Sequence, residues 1–278
     1  MSGPELYVTR FSAWAPGVEN SGEWDEWARG RREIASGGKG PDITFTDSLF
    51  RRRLSTISRM TVQVVHDLLP VKENTRMLFV SFWGELSRQY QINKMLIEEK
   101  ALTPAVFSLS VFNAPAALAS IALGLKGGYS ALYPGNNSFA AGLAAAEAAL
   151  SEAALSEDAL SEDALSEAAS PDATGELIFV YADEEAPPEY RSFFQSDHVP
   201  GGQTPSVAFA VLLTREPQPG GECREGTPLA PQPSGECREG SPLAPQSSSI
   251  PLSQLKGTNS PLEFLRRLLL RGKIHVLS

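Results

Sequence analysis

The residues best placed for covalent chemistry lie in a strand–turn–helix pattern in the middle of the chain. A short strand is predicted over Tyr129–Leu132, and an alanine-rich helix follows residue 137. A side chain at such a turn faces the positive end of the following helix, so the turn can hold a nucleophile. Here residues 134–137 read PGNN, with no cysteine, serine or histidine. An asparagine amide cannot take up an acyl chain covalently as a thiolate does.

A second set of spaced residues precedes this turn. An apolar helix pattern covers residues 115–125 and leads through a Lys-Gly-Gly run into the strand. This arrangement resembles the nucleophile-elbow region of β-ketoacyl synthases of the thiolase fold. Those enzymes carry an Asn-x-Pro-Ala helix, a Lys-Gly pair, a strand, and a catalytic cysteine at the start of a buried helix. The residues that match are Asn113, Pro115, Ala116, Lys126 and Gly127.

The resemblance also assigns the position of the nucleophile. Counting forward from the Lys-Gly pair without a gap places Asn136 where those enzymes have their cysteine. A slip of one residue places Gly135 or Asn137 there instead. None of the three is a nucleophile, so the resemblance implies an elbow that lacks its catalytic sulfur.

Further segments resemble the short, chain-length-factor-like members of the same family, which occur in aryl polyene and related polyketide or fatty-acid-type pathways. They follow one another in the order expected for those proteins. The segments are FSAWAPG (11–17), WDEWARG (24–30), RRRLSTISRM (51–60), FSLSVFN (107–113), LIFVYADE (177–184) and LEFLRRLLLRG (262–272).

The chemistry that a ketosynthase needs is missing from the rest of the chain as well. In the resembled enzymes the catalytic histidines and lysine belong to a C-terminal half, whereas here a repeat and one helix follow residue 215. The histidines are His66, His198 and His275, each of which is predicted to be a surface residue. Cys223 and Cys237 lack the spacing of a zinc site and are predicted to be free thiols. We therefore expect no enzymatic activity, no cofactor and no metal.

The resemblance implies a non-catalytic, chain-length-factor-like subunit. Such a subunit pairs with an active β-ketoacyl-ACP synthase, works with an acyl carrier protein, and helps to shape the acyl-chain pocket. Its predicted strand would pair edge to edge with the equivalent strand of the partner, continuing one sheet through the dimer. The residues predicted to line this interface or pocket are Phe112, Asn113, Pro115, Tyr129, Leu132, Tyr133, Gly135, Asn136, Asn137 and Phe139.

Two other functions stay open from the sequence. One is a malonyl-ACP decarboxylase-like enzyme or hydrolase that uses Asn136 to hydrogen-bond a thioester or carboxylate. The other is a stand-alone acyl-binding homodimer. The arginine run 51–53 is either a solvated surface or a contact for the acidic carrier protein.

Composition excludes several classes of partner. The chain has 278 residues and a net charge of −9, but residues 151–172 carry seven acidic side chains and no basic ones, so the remainder has a net charge of −2. No basic stripe with interleaved aromatic residues indicates nucleic-acid binding. No apolar run approaches the roughly 20 residues that span a bilayer, and the first ten residues do not resemble a signal peptide, so a cytoplasmic location is expected.

Alternating strand and helix patterns predict an α/β fold. Five strands are predicted, over residues 6–12, 77–83, 129–132, 177–182 and 206–214, with helices around 24–29, 49–69 and 85–99. Together with the resemblance, this predicts half of a thiolase-like fold: a mixed five-stranded sheet flanked by helices, with two low-complexity insertions.

The insertions set the predicted domain boundaries. Residues 1–215 form the β-ketoacyl-synthase N-terminal-like domain, interrupted at 151–175 by Ala-Leu-Ser-Glu repeats that favour a continuation of the preceding helix. Residues 216–258 hold two near-copies of GECREGxPLAPQ, a composition typical of a disordered linker. Residues 259–278 begin with a Ser-Pro-Leu-Glu capping box and predict an amphipathic helix that packs back on the domain.

Overall fold

The structure is a computed structural model that describes residues 5–102, 104–133, 139–159, 175–190, 205–217, 249–258 and 260–271. The strands are β1 (Tyr7–Trp14), β2 (Arg76–Val80), β3 (Tyr129–Leu132), β4 (Glu176–Asp183), β5 (Val207–Thr214) and β6 (Ile250–Pro251). The helices are α1 (Ser21–Ala28), α2 (Ser48–Arg51), α3 (Thr56–His66), α4 (Leu86–Glu98), α5 (Pro104–Ser108), α6 (Ala114–Leu123), α7 (Phe139–Ala159) and α8 (Pro261–Arg271).

The strands form one mixed sheet in the order β3-β2-β4-β5-β1-β6. β2 runs parallel to both β3 and β4, whereas β5 is antiparallel to β4 and to β1. The predicted α/β fold with a mixed sheet is therefore confirmed, with six strands instead of five. The additional strand, β6, is two residues long, which is too short to give a recognisable alternation of apolar and polar residues.

The central strands are apolar throughout because both faces of the sheet are covered. On β4, Phe179 and Tyr181 face the layer that contains α1, α7 and α8. Ile178 and Val180 alternate with them and pack against α3 and α6 on the opposite face. All eight residues of β5 are buried. Such near-continuous apolar runs are typical of strands that are buried on both sides.

The long helix predicted over residues 49–69 is wrong in its extent. The structure divides it into α2 and α3, because each of these helices has its own N-cap. Asp47 accepts hydrogen bonds from the backbone N–H groups of Leu49 and Phe50, and Ser55 accepts one from Ser58. Polar caps of this kind start helices, so the second cap marks a new start within the apolar pattern.

Helices α7 and α8 meet over an aromatic cluster on one face of the sheet. Phe139, the first residue of α7, is fully buried, with its ring centroid 5.1 Å from that of Phe264 on α8 and 5.8 Å from that of Phe209 on β5. Helix α8 also buries Leu265, Leu268 and Leu269, and the Ser260 hydroxyl accepts a hydrogen bond from the backbone N–H of Glu263 at its start. Aromatic pairs at these separations add to the stability that buried area alone provides.

The described chain resumes at residue 249, within the segment predicted as a linker. Ile250 is buried and pairs with Val8 on β1, and a short 3₁₀ helix over Leu252–Gln254 follows. Residues 249–258 therefore belong to the folded part of the molecule. Within the described ranges, no helix combines the length and apolarity that crossing a bilayer requires.

Candidate functional site

The predicted interface strand, β3, lies at one edge of the sheet. It pairs with β2, and no other described strand lies beside it. The backbone N–H groups of Met77 and Ser81 donate to the carbonyl oxygens of Gly128 and Leu132, at 3.1 and 3.4 Å. Successive residues of a strand point their backbone groups to alternate sides, so the N–H and C=O groups of Tyr129 and Ala131 point away from β2. Within the described ranges, this edge therefore presents backbone donors and acceptors without a partner strand.

A hydrogen bond joins this edge to the start of α6. The side-chain amide of Asn113 donates to the hydroxyl oxygen of Tyr129 at 3.1 Å. Asn113 occupies the N-cap position of α6, yet its side chain does not cap the helix. Asparagine at this position normally accepts a hydrogen bond from the first turn. Here the amide instead fixes the position of an edge-strand side chain.

Phe112 lies between the core and the exposed edge. Its ring centroid is 6.2 Å from that of Phe79 on β2 and 6.1 Å from that of Tyr133, both in edge-to-face geometry. Phe79 is fully buried, whereas Tyr133 is 57% exposed. The three aromatic rings thus connect the interior of the sheet to the surface beside β3.

The structure joins Asn113 to Tyr129 and Phe112 to Tyr133, whereas Leu132 and Phe139 pack on the face of the sheet opposite to Phe112. Pro115 is buried in the first turn of α6, and Leu132 is partly buried against the core. Phe139 lies in the aromatic cluster under α7, so its side chain is part of the core and not of the exposed surface. Gly135, Asn136 and Asn137 lie outside the described residues.

Among the described residues, the other side chains considered for catalysis or metal binding do not form a catalytic or metal site. His66 is partly exposed, stacks on Phe45 with ring centroids 3.7 Å apart, and places its Nδ1 3.2 Å from a carboxylate oxygen of Asp67. The other histidines and both cysteines lie outside the described residues. Across the residues that the structure describes, no group of three His, Cys, Asp or Glu side chains is placed to hold a metal ion.

Sequence reasoning missed a cluster of buried carboxylates at the C-terminal ends of β2 and β4. Asp183 is fully buried and accepts hydrogen bonds from the Ser81 and Tyr181 hydroxyls at 2.6 and 2.5 Å. It also accepts the backbone N–H groups of Phe82 and Trp83 at about 3 Å. Burial raises the pKa of Asp183, while these hydrogen bonds act to lower it. The bonds also end β2 at Val80, three residues earlier than the apolar run predicts.

The other two carboxylates hold the start of α4. Glu85 accepts hydrogen bonds from the hydroxyls of Ser55 and Ser58, each at 2.7 Å, and its second oxygen forms an ion pair with Arg88 at 3.3 Å. Burial raises the pKa of Glu85 despite these partners. Burial also raises the pKa of Glu184 to about 7, because its hydrogen bonds to Ser87 offset only part of the desolvation. One carboxylate oxygen of Glu184 is buried without a hydrogen-bond partner.

The sequence contains a signal for this cluster. Acidic residues stand at the end of the apolar strand β4, in ADEE, and five positions after the end of β2, in SFWGE. The carboxyl ends of adjacent parallel strands lie at the same edge of a sheet, so polar residues placed there converge. The missing information was that β2 and β4 are neighbours, which follows from the topology.

The mixed α/β sheet with a parallel β3-β2-β4 half, flanked by helices on both faces, is that of a thiolase-like domain. The chain matches the model of the β-ketoacyl synthase N-terminal domain over residues 24–260, and it belongs to that family. No curated protein sequence matches the chain.

Solved structures with the same fold are ketosynthase assemblies. The complex of the ketosynthase ApeO with its chain length factor ApeC from Xenorhabdus doucetiae is 23% identical, with a TM-score of 0.53, covering 78% of this chain and 84% of that one. The ishigamide ketosynthase/chain length factor is 13% identical, with a TM-score of 0.54, covering 76% of this chain and 62% of that one. The AntDE:AntF complex of a type II polyketide synthase acyl-carrier protein with its ketosynthase is 13% identical, with a TM-score of 0.52, covering 77% and 64%. The present chain thus spans less than two thirds of the latter two.

Proposed function

We propose that this chain is a non-catalytic, chain-length-factor-like subunit that pairs with an active β-ketoacyl-ACP synthase. The observation that carries the proposal is the open edge of β3, whose outward backbone groups lie beside Asn113, Phe112 and the exposed Tyr133. Family membership supports it, as do two structural neighbours that are described as ketosynthase–chain length factor assemblies.

The absence of a nucleophile argues that the partner performs the chemistry. The two cysteines of the chain, Cys223 and Cys237, both lie in the repeat segment far from the elbow in sequence. The position that the resemblance gives to the catalytic cysteine is occupied by Asn136. Condensation requires a thiolate to carry the acyl chain, and an amide cannot form that thioester. The role left to this subunit is to complete and shape the pocket of its partner.

The surface around the edge strand has the character of a protein interface. Besides Tyr129 and Tyr133, the segment that precedes β3 in the chain carries three exposed apolar side chains, Phe107, Val111 and Ile121, whose exposed fractions are 57%, 41% and 71%. Exposed apolar and aromatic side chains of this density mark surfaces that become buried on association. A partner strand aligned on β3 would satisfy its backbone groups, while these side chains pack against the partner's flanking helices.

The aromatic residues beside the edge suit a pocket wall. Phe112 and Tyr133 lie where the interface and the interior of the sheet meet, so their bulk would limit how far an acyl chain extends. The acyl carrier protein, which is acidic, would find its contact at Arg52 and Arg53, which are exposed. The Arg51 guanidinium instead donates hydrogen bonds to the carbonyl oxygens of Thr44 and Thr46.

Co-expression with a β-ketoacyl-ACP synthase from the same genome tests the proposal. We expect a complex that co-purifies at a one-to-one ratio, and a product distribution that changes when Phe112 or Tyr133 is shortened to alanine. If the purified chain forms a homodimer and does not bind the ketosynthase, the result would contradict the proposal and favour a stand-alone acyl-binding protein. Release of carbon dioxide from malonyl-carrier protein by the chain alone would contradict it in favour of a decarboxylase.

A further inference from the structure

The turn between β2 and α4 is held rigidly from one side. Asp183 binds the hydroxyl of Ser81 and the backbone N–H groups of Phe82 and Trp83, and the Ser81 hydroxyl oxygen in turn accepts the N–H of Gly84 at 2.7 Å. Three successive peptide N–H groups are thereby satisfied by two side chains. Because these groups are buried or nearly so, a displaced turn would leave them without partners, at a free-energy cost of about 1–3 kcal/mol for each.

The end of this turn lies directly against the ring of Phe112. Gly84 has a φ of +54°, and a Cβ atom at this position would lie 2.5 Å from Cδ2 and 3.0 Å from Cε2 of Phe112. Real Cβ atoms do not approach other atoms that closely, so any larger residue at position 84 must displace the ring. The backbone of Gly84 therefore limits how far the Phe112 ring can move towards the turn.

The surroundings of Phe112 decide the direction in which its ring can move. Phe79 is fully buried in the close-packed core and cannot yield without disturbing β2. Tyr133, whose ring centroid is 6.1 Å from that of Phe112, is mostly exposed and can yield. A residue larger than glycine at position 84 should therefore displace the Phe112 ring towards Tyr133 and the surface beside β3.

We propose that Gly84, held in place by Asp183, is a positioning residue that sets how far Phe112 projects into the acyl pocket and so limits product length. The proposal deepens the proposed function and depends on it. It assigns part of the control of chain length to a turn that has no need to touch the acyl chain.

The test uses the full chain in complex with its ketosynthase. The variant Gly84→Ala is compared with Gly124→Ala, because Gly124 has a similar φ of +65° but no atom within 4 Å of its Cβ position. The two variants share the backbone strain, and only the first presses on a ring. A third variant combines Gly84→Ala with Phe112→Ala, which removes the ring that is pressed upon.

We expect Gly84→Ala to shift the products to shorter chains by at least one extension unit, Gly124→Ala to leave them unchanged, and the double variant to match Phe112→Ala alone. A shift that persists in the Phe112→Ala background, or that Gly124→Ala reproduces, would overturn the inference. Unaltered product length in Gly84→Ala, with a complex that assembles normally, would also overturn it. The unsubstituted chain tests the proposed function separately, since failure of that chain to bind the ketosynthase removes the function itself and this inference with it.

Discussion

The side-chain amide of Asn113 donates a hydrogen bond to the hydroxyl of Tyr129, across the junction between helix α6 and edge strand β3. This bond uses a residue at an N-cap position for a contact outside its own helix. The first turn of α6 therefore lacks a side-chain cap from Asn113, whereas the side chain of Tyr129 on β3 is held in position. Both partners of the bond are residues that the sequence assigned to the interface.

Substitution of Asn113 should therefore affect association more than folding. Asn113→Ala removes one partly exposed hydrogen bond, and we expect the free energy of unfolding to fall by about 1 kcal/mol or less. The affinity for the ketosynthase should fall about tenfold or more, because Tyr129 loses its fixed position. Asp47→Ala is the matched control, since Asp47 is a true N-cap away from this edge. It should lower stability by about 1 kcal/mol and leave affinity unchanged. Equal affinities in the two variants would contradict an interface role for Asn113.

The alternation of backbone groups on β3 predicts opposite effects of proline at adjacent positions. Ala131→Pro removes an N–H that points away from β2, so we expect the isolated chain to fold and partner binding to fail. Ser130→Pro removes an N–H that faces β2, so it should destabilise the chain itself. Circular dichroism melts and co-purification distinguish the two effects. If Ala131→Pro still bound the ketosynthase with normal affinity, the edge strand would not be the contact.

The buried Glu184 predicts a loss of stability as the pH rises. Its pKa is raised from 4.5 to about 7, so folding favours the protonated form. The stabilising effect is complete below the unfolded pKa and is lost as the pH rises through 7. We expect Glu184→Gln, which mimics the neutral acid, to raise the free energy of unfolding by up to about 3 kcal/mol at about pH 8 and to change it little at about pH 5.

Denaturant titrations of both proteins at the two pH values provide this measurement. Glu98→Gln, on the exposed surface of α4, serves as the control for a general effect of removing a negative charge. A pH dependence of stability that is the same with and without Glu184 would show that this carboxyl does not titrate as described.

Alanine substitutions at Phe139 and Tyr133 should differ in their effect on the free energy of unfolding. Its side chain is fully buried among Phe179, Tyr181, Phe209 and Phe264, so Phe139→Ala should lower the free energy of unfolding by about 3–5 kcal/mol. Tyr133→Ala, by comparison, should cost the isolated chain less than about 1 kcal/mol because Tyr133 is largely exposed. Thermal melts measure both. A small effect of Phe139→Ala would contradict a core role for that side chain.

The local patterns of the chain were sufficient to predict five of the six described strands, because buried strands such as β4 and β5 are recognisable from apolar runs, whereas the two-residue β6 is too short to give a pattern. The boundary between α2 and α3 was missed, since it depends on the cap formed by Ser55 and not on apolar spacing. The resemblance assigned Asn113, Tyr129 and Phe139 to an interface or acyl pocket, and the structure joins the first two by a hydrogen bond. The full burial of Phe139 depends on how α7 and α8 pack on the sheet, which no local pattern contains. The carboxylate cluster required the knowledge that β2 and β4 are adjacent, which no local pattern contains.

The two ends of the sheet differ in how the described residues cover them. At the β1 end, the last four residues of the strand are buried, and the first two pair with the two-residue β6. At the β3 end the ladder of backbone groups is open. If the proposed partner strand aligns on β3, this ladder is used once, so association through this edge ends at a pair and does not extend into a filament.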